Sequence, residues 1–301
     1  MKYFKKLTLL LLFIGIYSLN AFSQDGAAQA TPSKDFTISA KEFKQAAKEN
    51  KNLVIIDAGK PKAYPENHVK DAIYILYEDL NKPETEAPLG TIQTPDFIGE
   101  YMGKKGVSAD DEIVIYDDGT QKYSSRMYVT LKYAGAKNVK LLHKDMNDWG
   151  KERIPLTSVV PKDREPATFV VTPDNNLFVD LDYVMAHKEM PNVVLVDVRS
   201  PEEFSGAKKV VDEKFGHIPG SINIPFEEFE KESGAYKSKA ELQQLADKYG
   251  IGQDKEVIFF CKTGVKGAVA YLAFNNILEH PNSKLYEGGC ADYCSKHELA
   301  K

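Results

Sequence analysis

The chain has 301 residues, 39 Lys and Arg against 44 Asp and Glu, and a net charge of −5. That is too long for one average core, so length alone sets an expectation of about two domains. Hydrophobic residues at 43% and charged residues at 28% are the balance of a globular protein, which excludes a disordered chain and a multi-span membrane protein. The mild acidity, with no basic stripe interleaved with aromatics, gives no reason to expect a nucleic-acid partner.

Residues 1–23 read as a secretory signal peptide rather than as part of the fold. Lys2, Lys5 and Lys6 form a basic start, residues 7–17 a compact apolar core, and Ala21-Phe22-Ser23 a small-x-small cleavage signal before Gln24. The apolar run is short for a membrane span, although an uncleaved anchor is the alternative, and no cysteine follows it as a lipoprotein anchor would need. Export to the periplasm or the exterior is the expectation. Residues 24–34 are small and polar, a flexible lead-in. An exported chain meets an oxidising compartment, yet three cysteines, Cys261, Cys290 and Cys294, are not a disulfide framework. If Cys290 pairs with Cys294, Cys261 stays free; if one of them pairs with Cys261, its chemistry becomes redox-gated; three free thiols would argue against any resting disulfide.

From there the chain repeats itself. Leu53-Val54-Ile55-Ile56-Asp57 matches Val193-Val194-Leu195-Val196-Asp197, each an apolar strand ending on aspartate. His68-Val69-Lys70-Asp71-Ala72 matches His217-Ile218-Pro219-Gly220-Ser221, and Ile113-Val114-Ile115-Tyr116-Asp117 matches Val257-Ile258-Phe259-Phe260-Cys261. A helix-period segment follows each of the last pair, around residues 125–133 and 268–278, then a last strand at 139–142 and 284–286. Helices are also expected at 95–105 and at 239–249, where Leu242, Leu245 and Tyr249 share one face. Trp149 lies as far after Asp117 as Tyr293 lies after Cys261. Alternating strands and helices predict two α/β domains, each a mostly parallel sheet with helices on both faces. The expected bounds are 35–150 and 175–301. The linker 151–174, rich in proline and charge, has one strand-like stretch at 168–172.

Ligands of open α/β sheets bind beyond the carboxyl ends of the strands. Cys261 holds that place in the second half and Asp117 holds it in the first. The loop Cys261-Lys262-Thr263-Gly264-Val265-Lys266-Gly267 puts a thiol under the unpaired N–H groups of a helix and beside two ammonium groups, which favours the nucleophilic thiolate. The plain alternative is a small buried residue ending a core strand. Cysteine-based phosphatases also place Cys before such a loop but close it with an arginine fork. Lys266 does not reproduce that fork. Six histidines and three cysteines show no metal-ligand spacing.

Asp197-Val198-Arg199, His217-Ile218-Pro219-Gly220 and Cys261-x-x-Gly264, set in paired halves, resemble the tandem rhodanese sulfurtransferases, among them the thiosulfate and 3-mercaptopyruvate sulfurtransferases. The resemblance spans residues 36–293. It implies a non-catalytic first copy, a catalytic second copy and a site in the cleft between them. The activity it implies passes sulfane sulfur from a small anionic donor through a Cys261 persulfide to cyanide or a thiol, including that of a thioredoxin-like protein, in a monomer needing no cofactor or metal. Backbone N–H groups of Lys262, Thr263, Gly264, Val265, Lys266 and Gly267 would ring the sulfur. Basic residues after the cysteine mark the thiosulfate enzymes, and Lys262 follows that pattern while Thr263 departs from it. Asp197 and Arg199 are expected to orient the loop or sheet edge, Arg126 to face the cleft, and His68 and His217 to shape their turns. Two departures stand out. Glu203 replaces a substrate-binding arginine, for which Lys208 and Lys209 would compensate, and Gly289-Cys290-Ala291 replaces Gly-Ser-Trp, making Cys290 a candidate resolving thiol. Alternative readings are a 3-mercaptopyruvate sulfurtransferase, a low-turnover persulfide carrier and a thiol-redox protein.

Overall fold

The structure, a computed structural model, describes residues 36–143, 146–209 and 214–301. The expected signal peptide and lead-in lie outside the described residues. None of the described helices is long and apolar enough to cross a membrane.

In the first half the elements are β1 (Thr37–Ile38), α1 (Ala40–Glu49), β2 (Val54–Asp57), β3 (His68–Val69), β4 (Ile73–Tyr74), α2 (Pro95–Lys104), β5 (Glu112–Tyr116), α3 (Lys122–Ala134), β6 (Asn138–Leu142) and α4 (Met146–Glu152). β7 (Leu156–Thr157) follows, and then β8 (Phe178–Val179), α5 (Leu181–His187), β9 (Val193–Asp197), α6 (Pro201–Phe204), β10 (Ile222–Asn223), α7 (Lys239–Lys248), β11 (Glu256–Phe260), α8 (Val265–Leu272), β12 (Ser283–Tyr286) and α9 (Gly289–Lys296). Helix starts follow local chemistry. Ser39, Ser200 and Ser238 each close a capping box with a glutamate three residues on. α8 runs on into a π-helical turn, Ala273–Leu278, and stops at Glu279 with φ +59°.

The first sheet has the order β1-β6-β5-β2-β4 and the second β8-β12-β11-β9-β10, all neighbours parallel. These are the same order in two copies. The registers agree as well, since Asp57 lies opposite Tyr116 and Asp197 opposite Phe260. Strand residues alternate between faces. Val257 and Phe259 point into a core that runs continuously from one half to the other, whereas Ile258 and Phe260 join a separate outer core under α5 and α9. The matching outer core of the first half gathers Phe43, Ile55 and Tyr116.

The turn histidines are duplicated too. β3 pairs antiparallel with β7, bringing Thr157 opposite His68, and Ala300 bridges His217 in the same sense. Each imidazole stacks on a ring, Tyr64 at 4.0 Å or Phe204 at 3.9 Å, and its Nδ1 meets a main-chain oxygen. A role shared by both copies is turn architecture.

The stretch 168–172 corrects the sequence expectation, because it joins no sheet. It is part of an extended strap laid over α2 and the end of α3. Ala167 N donates to Gly103 O at 2.9 Å and Thr172 N to Ala134 O at 3.1 Å. The strap lies so close that a Cβ on Gly135, at φ +106°, would stand 2.6 Å from Thr172 O. Gly135→Ala therefore combines a left-handed backbone with a clash, and is expected to cost about 2–4 kcal/mol. A lower urea midpoint with unchanged slope would show it. An unchanged midpoint would mean that the strap is not held there.

Candidate active site

Cys261 follows β11 directly, is 3% exposed, and sits beneath the start of α8. The chain turns into the helix at Gly264, whose φ of +73° suits glycine. A Cβ there would also stand 2.7 Å from Glu287 O and 2.8 Å from Arg126 Nη1. From behind, Cys290 N donates to Cys261 O at 2.9 Å and Ala291 N to Lys262 O at 3.0 Å. The N–H groups of Thr263, Gly264, Val265, Lys266 and Gly267 have no protein acceptor among the described residues.

The first half shows what such a ring does when it is filled. Asp117 Oδ1 accepts from Gly119 N and Gln121 N, both at 2.9 Å, and Oδ2 from Tyr123 N and Ser124 N, both at 3.1 Å. Ser124 Oγ adds a bond at 3.2 Å. The carboxylate is a built-in anion at a helix start. The ring is closed in one copy and open in the other.

The first half also supplies one wall of the loop. Gly90 lies against Thr263, so that a Cβ on it would be 2.6 Å from Thr263 Cβ. Arg126, 1% exposed, donates through Nη2 to Gly90 O at 2.8 Å and lies over the Phe178 ring at 5.4 Å. Its Nε and Nη1 have no hydrogen-bond partner among the described residues. Burial pulls its pKa down, opposed by Glu287 and Cys261. Glu287 accepts from Ile92 N at 2.9 Å, and its pKa is raised by burial against the pull of Arg126. Arg126 thus lies under the loop between the halves rather than lining open cleft. Glu287 was missed in the sequence, although its place just after β12, beside the active loop, was a usable signal.

Lys262 borders a cleft of about 1040 Å³ together with Pro88 and Leu89 of the first half and Lys214 of the second. Lys266 turns elsewhere. It lies over the Phe226 ring at 5.0 Å and reaches Glu203 at 4.0 Å. Glu203 caps α6 by accepting from Ser200 N at 3.2 Å, so it occupies a structural place and offsets the Lys266 charge. Lys208 and Lys209 are exposed, and no described contact brings them to the loop.

A family model for the rhodanese-like domain matches residues 39–152 and 180–296. The chain belongs to the rhodanese family. Among its relatives, a provisionally named thiosulfate sulfurtransferase of Mycobacterium tuberculosis is 30% identical over 242 residues, covering 77% of this chain and 85% of that protein. One from Haloferax volcanii is 29% identical over 249 residues, covering 80% and 85%. The 3-mercaptopyruvate sulfurtransferase SseA of Escherichia coli shares the fold at a TM-score of 0.74 and 25% identity, covering 85% of this chain and 98% of that one. An ergothioneine biosynthesis enzyme of Chlorobium limicola matches at a TM-score of 0.78 and 20% identity, covering 88% and 70%.

In this rhodanese, no described hydrogen bond or ion pair joins the Asp197 or Arg199 side chain to the active loop. Arg199 grips Asp197 through Nε, at 3.0 Å to both oxygens, and through Nη2 at 2.5 Å, and it donates to Gly216 O at 2.9 Å. Burial alone would lower the guanidinium pKa, but the bonds to Asp197 reverse that and raise it. The pair pins the His217 turn to the end of β9. Cys290 lies in α9 rather than at a strand end, and points its Sγ at Asp197 Oδ2, 3.9 Å away. Burial, reinforced by Asp197, pushes its thiol pKa well up. Cys290 packs in the outer core while Cys261 packs in the shared core, and no disulfide joins any of the three cysteines. The geometry places Cys290 as a buried thiol against Asp197, with its main-chain N–H on the Cys261 carbonyl.

Removing the guanidinium would leave Asp197 charged, buried and unpaired. Arg199→Met is expected to cost about 3–5 kcal/mol, read as a lower urea midpoint. A midpoint shift below about 1 kcal/mol would contradict the pinning role.

Proposed function

We propose that the protein is a sulfurtransferase that takes sulfane sulfur from thiosulfate and passes it to cyanide or a thiol through a persulfide on Cys261. The observation that carries this reading is the open ring of N–H groups around Cys261, set against the same ring filled by Asp117 in the other half. The Cys261 thiolate attacks the outer sulfur of thiosulfate. A sulfur–sulfur bond forms to Cys261, the bond to the sulfonate sulfur breaks, and sulfite leaves with the electron pair. The outer sulfur of the persulfide then lies where the N–H groups of the loop converge. The acceptor attacks that outer sulfur, and Cys261 departs as thiolate, ready for the next donor. Lys262, facing the cleft, attracts the dianionic donor. Lys266 contributes less, because Glu203 offsets it. The relatives named for thiosulfate support the donor. The likeness to SseA favours 3-mercaptopyruvate as the second reading, and comparing turnover on the two donors separates them.

Cys261→Ser is expected to abolish thiocyanate formation from thiosulfate and cyanide. Intact mass after thiosulfate treatment should show one added sulfur atom in the parent and none in the variant. Full activity in the variant would sink the proposal. Lys262→Ala is expected to raise KM for thiosulfate roughly fivefold with a smaller change in kcat. An unchanged KM would remove Lys262 from donor binding.

A further inference from the structure

The catalytic half buries a guanidinium at a place where the first half has a cavity. Two residues beyond the strand-ending aspartate stand Arg199 in one copy and Gly59 in the other, and each gives its N–H to that aspartate's Oδ1, at 3.0 and 2.8 Å. Arg199 fills its place by forking onto Asp197 and reaching the oxygen of Gly216, the residue before the turn histidine. The residue before the other turn histidine is Asn67. Asp57, Gly59 and Asn67 all line one cavity of about 250 Å³, with Tyr116, Trp149 and Leu156 completing its walls. Leu156 is 52% exposed, which puts one wall at the surface.

Asp57 has been only partly compensated for the missing fork. Tyr116 stands where the second half has Phe260, and its hydroxyl donates to Asp57 Oδ2 at 2.7 Å. That is one donor in place of several. The carboxylate is 6% exposed, and burial raises its pKa. Nearby acids do not compete for a ligand. Asp117 is taken up by its N–H ring, and Asp118 is paired with Lys60 at 3.4 Å. The indole of Trp149, with its centroid 6.0 Å from that of Tyr116, offers an aromatic wall to a planar cation.

We propose that this cavity binds a small guanidinium compound, guanidine or an alkylguanidine, which lies on Asp57 as the Arg199 side chain lies on Asp197. The planar fork is what distinguishes the ligand. An ammonium ion of the same charge presents no pair of parallel donors to the carboxylate. The site is separate from the sulfur chemistry, so activity serves as a folding control.

The test is thermal unfolding of the full chain in methylguanidinium chloride at concentrations far below those that denature, with urea, methylammonium chloride and sodium chloride as parallel arms. A saturable rise in Tm is expected for methylguanidinium alone, roughly 3 °C at ten times the dissociation constant. Asp57→Asn should abolish the rise while thiosulfate turnover persists. Gly59→Arg should also abolish it, because the chain then supplies its own guanidinium. The new Cβ would meet Asp57 Oδ1 at 2.9 Å and Asp118 N at 3.1 Å, so both the carboxylate and the main chain at Asp118 must give slightly. The inference is overturned if methylguanidinium gives no saturable rise, if urea or methylammonium matches it, or if the rise survives in Gly59→Arg. Should either variant fail to fold, the comparison with urea and methylammonium on the parent chain decides alone.

Discussion

The structure depends on what answers the unpaired N–H groups where the central strand of each sheet turns into its helix. The first turn of a helix leaves such groups without intrahelical partners, and buried donors left unanswered cost about 1–3 kcal/mol each. In the first half Asp117 answers them permanently, with both carboxylate oxygens and four main-chain donors engaged. In the second half Cys261 brings no carboxylate, and the N–H groups of Thr263 to Gly267 are left without a protein acceptor among the described residues. One backbone device therefore serves as a structural clasp in one copy and as a reaction site in the other. The difference comes down to the residue at the end of the strand.

The first copy also contributes to the surroundings of the Cys261 loop. α3, which opens on the Asp117 ring, brings Arg126 beneath the catalytic loop, and Gly90 and Ile92 of the same half meet Thr263 and Glu287. The catalytic loop is held from both sides. Its own half fixes the Cys261 and Lys262 carbonyls through Cys290 N and Ala291 N, and the other half supplies a buried cation. Gly289, at φ +55°, makes the first of these possible, since a Cβ on it would lie 2.3 Å from Cys261 O. The shared core between the sheets then makes the two copies one compact body.

Much of this was legible in the residues. Apolar runs of four or five residues ending on Asp57, Asp117, Asp197 and Cys261 gave the central strands, because buried parallel strands must be apolar on both faces. The duplication was visible for the same reason, and so was the one nucleophile among the paired strand ends. The strap was misread because its extended backbone is satisfied by helix-end carbonyls, a pattern without a period. The partners of Glu203 and Cys290 were not legible for a different reason. These partners, Lys266 and Asp197, are remote in sequence, and only the pairing of β9 with β11 and of β11 with β12 brings those elements together.

Sequence by itself determined the elements, their duplication and the place of a cysteine at the end of one central strand, since all of these rest on local periodicity and on residue type. The tertiary structure alone decided which charges are spent on one another. Asp197 takes Arg199, Asp117 takes a ring of N–H groups, Glu203 offsets Lys266, and Lys262 is left facing the cleft. Charge interactions depend on distance through space and on burial, and neither quantity is written along the chain.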